Sequence, residues 1–260
     1  MSNSPLIDYT NLSPHYSARV FGIDTVTIHC VVGQWSAKQI ADYFAQPDTK
    51  ASANYGVGYD GSICLSVDEA NRAWTTGGGT YTVNGISGSA NDHRAITIEV
   101  ASDTTHPYAV TEAAYNSLIN LLVDICQRNH GIGRLRWRDD KSLVGQTDLQ
   151  NMTLHRYFSD KVCPGDYLYE RHFDIAKQVN ARLDAMQEEK DTEYEQFKEY
   201  MDKYMAEAAF DDPSDWAKES CEKAIAKGVL KGNGNGSFNF KRPLTREQYL
   251  VMQDRLGMLG

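Results

Sequence analysis

His155 and Cys163 stand eight residues apart in LHRYFSDKVCPGDYL, and a second histidine, His29, lies far upstream in TVTIHCVV. Two imidazoles and a thiolate suit zinc, and three protein ligands leave the fourth tetrahedral position open to water. The intervals are not the short ones of a zinc ribbon, so spacing alone leaves each residue its ordinary alternative. A histidine within a strand is more often a hydrogen-bonded core residue than a ligand. Glu99 is the one charged residue in AITIEV, and a glutamate buried there without a partner would be costly. It therefore either lines a polar cleft or pairs with a cation such as Arg94 or Arg72. Lys161, two residues before Cys163, is either a solvated loop lysine or a cation able to hold an oxyanion.

The elements around these residues read as one α/β domain over residues 1–183. Thr25–Val32 alternates and is rich in β-branched residues, which predicts a central strand with Thr27, His29 and Val31 on one face. Ser36–Phe44 has helical spacing. Asn54–Tyr59 and Ser62–Val67 flank Asp60-Gly61, a hairpin turn signal. Thr75–Asn91 is rich in Gly, Ser and Thr and is expected to be a long loop. Ala95–Val100 predicts another buried strand, in which Thr97 and Glu99 share a face. Thr111–Asn129 predicts an amphipathic helix capped by Thr111. If the two strands are neighbours, His29 and Glu99 project into one cleft.

From Gln187 to Ala209 the chain turns into a charged helix, read as a linker over 184–210. Tyr194, Phe197, Met201, Tyr204 and Ala208 follow 3-4-3-4 spacing, which is either a packed face or a seam for self-association. Residues 211–260 predict a small all-α module: a helix capped by Ser214 and ending at Lys227 and Gly228, then a helix capped by Thr245.

The net charge of the 260 residues is −9, with no long basic stretch, which argues against nucleic acid as a partner. No run of eighteen apolar residues predicts a membrane span. The N-terminus MSNSPLIDYT has neither a basic region nor an apolar core of a leader. Synthesis in the cytoplasm is therefore expected, with access to a cell wall after release or lysis. Five scattered cysteines are not a disulfide framework.

TIHC, the glutamate of IEV, and His155-x7-Cys163 with its K-x-C-P ending together resemble the type 2 N-acetylmuramoyl-L-alanine amidases, over about residues 20–183. This superfamily includes phage endolysins, autolysins and peptidoglycan recognition proteins. The resemblance implies a zinc amidase fold: a central mixed β-sheet flanked by helices. It implies Zn2+ held by His29, His155 and Cys163, Glu99 as general base and Lys161 at the oxyanion. It implies peptidoglycan as substrate, cut between N-acetylmuramic acid and L-alanine, with Asn54, Tyr55 and Trp74 along the groove. Two positions depart from the pattern. Ala53 stands where some relatives carry a catalytic tyrosine, and Trp74-Thr75 replaces a Trp-His pair.

Residues 213–258 resemble one S-layer homology repeat, through Trp216, Gly228, Gly232, Phe238 and Leu244-Thr245-Arg246-Glu247. The resemblance implies binding to secondary cell-wall polysaccharide, with Trp216 and Arg246 in the pockets. Such repeats usually act in threes, so the one copy in this chain either folds alone as a two-helix hairpin or associates with copies from other chains, as a homo-oligomer through 194–208 and the module. The GNGNG turn lacks the acidic oxygens of a calcium loop. The leading expectation is a peptidoglycan hydrolase of endolysin type. The alternatives are a non-catalytic recognition protein and a cytosolic muropeptide-recycling amidase.

Overall fold

The computed structural model describes residues 3–77, 81–208, 212–232, 234 and 238–259. Asp211, most of the GNGNG turn, and residues 78–80 of the expected long loop lie outside the described residues, as does the side chain of Ala208. The chain divides into two compact units, Met1–Met186 and Gln187–Gly260.

The first unit opens with β1 (Tyr9–Thr10) and β2 (Tyr16–Ala18), followed by β3 (Thr25–Cys30) and α1 (Ala37–Phe44). Next come β4 (Tyr55–Val57), β5 (Ile63–Leu65), β6 (Asn71–Ala73), β7 (Thr82–Val83), β8 (Ile86–Ser87) and α2 (Gly88–Arg94). After β9 (Ala95–Val100) come α3 (Glu112–Arg128), β10 (Met152–Thr153), α4 (Asp166–Glu170) and the start of α5 (His172–Ala208). Six strands form the main sheet in the order β1-β5-β4-β9-β3-β10. Its pairs are all parallel except β4 with β5, so the sheet is mixed. Every residue of β3 is buried, as expected of a central strand with parallel neighbours and both faces covered.

The pleat sorts the side chains. Val26, Ile28, Ile96 and Ile98 enter the main core, where they meet Leu118, Leu121, Leu122 and Ile125 of α3 and Ile175 and Val179 of α5. Each such aliphatic contributes roughly 1.5–3 kcal/mol by leaving water. On the opposite face α1 packs its Ala37, Ile40, Ala41 and Phe44 against Cys64 and Ala53. Gly56 of β4 allows that approach, since a Cβ there would stand 2.6 Å from Ile40. Ser36 and Gln39 close a capping box at the start of α1, and Thr111 caps α3 through the Ala114 amide. The hairpin turns at Gly61, whose φ is +85°.

Three expectations are revised. The segment Thr75–Asn91 is not all loop: it contains the β7–β8 ribbon and the first turn of α2. Gly85 follows Asn84 in the turn of the ribbon, and Ser87 caps α2. The helix expected from 187 begins at His172 and continues to Ala208, because Ile175 and Val179 anchor its start in the core. Ser214 does occupy the N-cap position of α6 (Asp215–Ala226), but its side chain makes no capping hydrogen bond.

In the second unit the rest of α5 is followed by α6 and α7 (Arg246–Arg255). Gly228, with φ +70°, ends the turn after α6, and Thr245 with Gln248 forms a capping box for α7. Arg242 Nε donates to the Met205 carbonyl and Arg255 Nη1 to that of Val229. No helix among the described residues is long and apolar enough to cross a membrane.

Candidate metal centre

The parallel register of β3 and β9 sets His29 directly beside Glu99. Both point away from α3, together with Thr27 and Thr97, as the alternation of the strands requires. A polar layer fixes this face. Thr27 Oγ1 and Thr153 Oγ1 are 2.7 Å apart, and the Asn91 amide bridges both at 3.0 Å. His155 follows β10, the strand on the other side of β3, in a short 3-10 turn. The chain then returns Cys163 to His29. Arg156 holds that return: its Nη2 donates to the Val162 carbonyl at 2.6 Å and to Asp166 Oδ1 at 3.4 Å. Its guanidinium lies over the Tyr169 ring.

Cys163 Sγ lies 3.3 Å from His29 Nδ1, and the His29 and His155 rings meet edge-on with centroids 5.1 Å apart. One ligand atom from each of His29, His155 and Cys163 falls within 4.8 Å of the others. Around tetrahedral zinc with usual bond lengths such atoms stand roughly 3.3–3.6 Å apart. One pair already has that spacing, and small side-chain rotations would bring in the third. Glu99 Oε1 is 4.0 Å from His29 Nδ1, and the side chain is 15% exposed. Its Oε2 is buried without a hydrogen-bond partner among the described residues.

The electrostatics favour a cation here. Burial, with the His155 charge adding to it, drives the pKa of His29 well below its ordinary value. Burial and then the Lys161 charge lower His155 to about 4. Both imidazoles are therefore neutral at pH 7 with lone pairs to donate. Burial, with Cys30 contributing, pushes Glu99 up to about 8. The Cys163 thiol is held well above its ordinary value by its hydrogen bond with Cys30, by burial and by Glu99. A divalent cation among these groups favours the thiolate, the carboxylate and the neutral imidazoles together. The donor set fits zinc.

A second layer supports His29. Its Nε2 lies 3.4 Å from Thr76 Oγ1, leaving Nδ1 to face Cys163. Thr76 is placed by Asp92, whose Oδ2 accepts from the amides of Thr75, Thr76 and Gly77 at 3.0, 2.9 and 3.1 Å. Asp92 is fully buried, and burial raises its pKa to about 6 despite the bonds from Thr76 and Thr75. Only glycine fits at 88, because a Cβ there would lie 2.3 Å from the Thr76 carbonyl.

The structure thus brings together His29, Glu99, His155 and Cys163, with Lys161 exposed on the connecting loop and close enough to depress His155. Neither Arg94 nor Arg72 pairs with Glu99: Arg94 binds Asp24, and Arg72 bonds Ser17. The groove residues do not gather in the same way. Asn54 is fully buried; its amide donates to the carbonyls of Val67, Asp68 and Asn71 and its oxygen accepts from the Thr97 amide. Tyr55 is also fully buried, with its hydroxyl donating to Glu69 Oε1 at 2.6 Å and accepting from the Ser4 amide. Both positions hold the fold rather than meet a ligand. Trp74 is half-buried with its ring tilted against His15. Trp216 is 88% exposed and Arg246 is exposed on the first turn of α7. Cys30, Thr76, Asp92 and Arg156 were missed by sequence reasoning. Only Cys30, next to His29, had a local signal.

Residues 19–166 match the family described as N-acetylmuramoyl-L-alanine amidase, and residues 211–250 match the S-layer homology domain. No curated protein matches the chain. Among solved structures it is similar to a selenomethionine derivative of AmpD, at 20% identity and a TM-score of 0.48, over 66% of this chain and 95% of that one. It is also similar to PlyL, at 16% identity and a TM-score of 0.45, over 65% and 94% of the two chains. The N-acetylmuramoyl-L-alanine amidase LysC from Clostridium intestinale URNW aligns at 16% identity and a TM-score of 0.40, over 67% and 95%.

Proposed function

The chain belongs to the N-acetylmuramoyl-L-alanine amidase family, and from that premise we propose that zinc held by His29, His155 and Cys163 serves its cleavage of peptidoglycan between N-acetylmuramic acid and L-alanine. The observation that carries this reading is the convergence of the three ligand atoms within 4.8 Å, beside a carboxylate with an unpartnered oxygen. Bound there, zinc supplies the Lewis acidity that polarises an amide carbonyl and acidifies water. Glu99 takes the proton of the attacking water and returns it to the departing L-alanine amine. Its position beside His29 and its unpartnered Oε2 suit a group that, ionised by the neighbouring cation, must both accept and give a proton. Lys161 steadies the oxyanion from the loop that carries Cys163. Thr76 and Asp92 keep the His29 ring turned so that Nδ1 faces the ligand cluster.

The domain matching the S-layer homology family associates the enzyme with the cell wall. Its ligand in this reading is a secondary wall polysaccharide, held by Trp216 and Arg246, and the whole protein acts as an endolysin on Gram-positive walls after release or lysis. The test is the zinc content of wild-type and Cys163→Ala protein, with new L-alanine N-termini counted on digested walls. Stoichiometric zinc and cleavage in the wild type, both lost in the variant, support the assignment. Zinc without cleavage favours a recognition protein, and wild-type cleavage without zinc removes the metal from the mechanism.

A further inference from the structure

Residues 187–207 of α5 leave the core behind and, apart from the half-buried Met205, are exposed on every side. A polar surface helix needs no explanation, but this one carries Tyr194, Phe197, Tyr200, Met201 and Tyr204 at 42–72% exposure. In proteins most helical stability comes from packing an apolar face. The unit it belongs to offers little to pack on: among its described residues only Val229 is buried. Leu244, Tyr249, Leu250, Leu256 and Met258 are at least half exposed. A module of this size without a core of its own must bury apolar surface elsewhere.

The sequence of the helix points to the occupant. With Tyr194 and Met201 at heptad position a and Phe197 and Tyr204 at d, Glu193 falls at g and Lys198 at the following e. In a parallel, in-register pair of helices, g of one copy faces the next e of the other. Glu193 then meets Lys198 of a second copy, twice by symmetry. One heptad later Tyr200 at g meets Met205 at e, an apolar pair beside an apolar a/d seam. Charge and apolar surface are therefore both self-complementary in one register. Within the chain Lys198 already holds a carboxylate, Glu195, at 2.9 Å, and lies over the Tyr194 ring.

We infer that residues 187–207 form a docking seam for a second copy of this chain, parallel and in register. The seam gathers the C-terminal modules of the associated chains at one end. Wall binding by such an assembly is multivalent, so weak single-module contacts sum to a slow off-rate.

Sedimentation of the full chain tests the seam independently of catalysis and of zinc. Wild type is expected as a multiple of 29.1 kDa at micromolar concentration, and Phe197→Glu, on an exposed position, as single chains with unchanged zinc content. Lys198→Glu and Glu193→Lys each place like charges opposite one another and should raise the dissociation constant about tenfold or more. Mixing the E193K and K198E proteins should restore assembly between them, since each supplies the charge the other lacks. Wild type that stays at 29.1 kDa at high micromolar concentration overturns the inference. So does an assembly that Phe197→Glu leaves intact, or one that neither charge reversal weakens.

Discussion

Asp92 shows how the support of the site trades stability against pH, and Asp92→Asn isolates the effect. The native carboxyl titrates at about 6, against an ordinary value of 3.8. Between those values the folded protein holds a proton that the unfolded chain has released, so stability falls as pH rises through this window. Two units correspond to about 3 kcal/mol, lost by the time the native group ionises. Asparagine keeps an oxygen for the amides of Thr75, Thr76 and Gly77 but never ionises. The variant should therefore match wild type near pH 4 and exceed it at pH 8 by about 1–3 kcal/mol, after allowing for its weaker hydrogen bonds. Urea unfolding followed by tryptophan fluorescence measures this. Trp35, Trp74 and Trp137 lie in the first unit, and Trp216 is 88% exposed and reports little. Comparing the two proteins at each pH cancels the other titrating groups. If Asp92→Asn instead loses more stability at pH 8 than at pH 4, the charged carboxylate stabilises the loop and the reasoning fails.

Glu99→Gln should retain zinc by elemental analysis while kcat on wall substrate falls roughly 10²–10⁴-fold; unchanged turnover would remove Glu99 as the base. Thr76→Val deletes the hydroxyl beside His29 Nε2, so zinc affinity in competition with a chelator should weaken on the order of tenfold. Equal affinity would show that the threonine does not orient the ring. Tyr55→Phe breaks the bonds to Glu69 and Ser4 and should cost about 1–2 kcal/mol of stability without changing kcat/KM. A changed kcat/KM with stability intact would return Tyr55 to the substrate groove.

How the site is built explains why some of its residues were legible and others were not. His29, Glu99, His155 and Cys163 carry chemistry that stands out against their surroundings, a histidine and a glutamate in apolar strands and a lysine-flanked cysteine before proline. The pleat gave the faces of His29 and Glu99 in advance. Asn54 and Tyr55 lie too deep for the groove because a motif position says nothing about depth: Tyr55 opens the short strand β4, Asn54 precedes it, and both are closed in by hydrogen-bond partners. Thr76 and Asp92 had no local pattern, since their role depends on α2 folding back over the Thr75–Gly77 segment, which only Gly88 permits.

Local sequence determined the strands β3 and β9, the caps at Ser36, Thr111 and Thr245, and the donor types of the metal centre, because β-branched alternation, hydroxyl caps and thiolate or imidazole chemistry act within a few residues. Tertiary structure alone decided that β3 and β9 are neighbours in the register that sets His29 beside Glu99. It also decided which imidazole nitrogen meets Cys163 and how far burial moves each proton. Those outcomes depend on sheet order, loop return and the loss of water around charge, which are sums over contacts between residues distant in the chain.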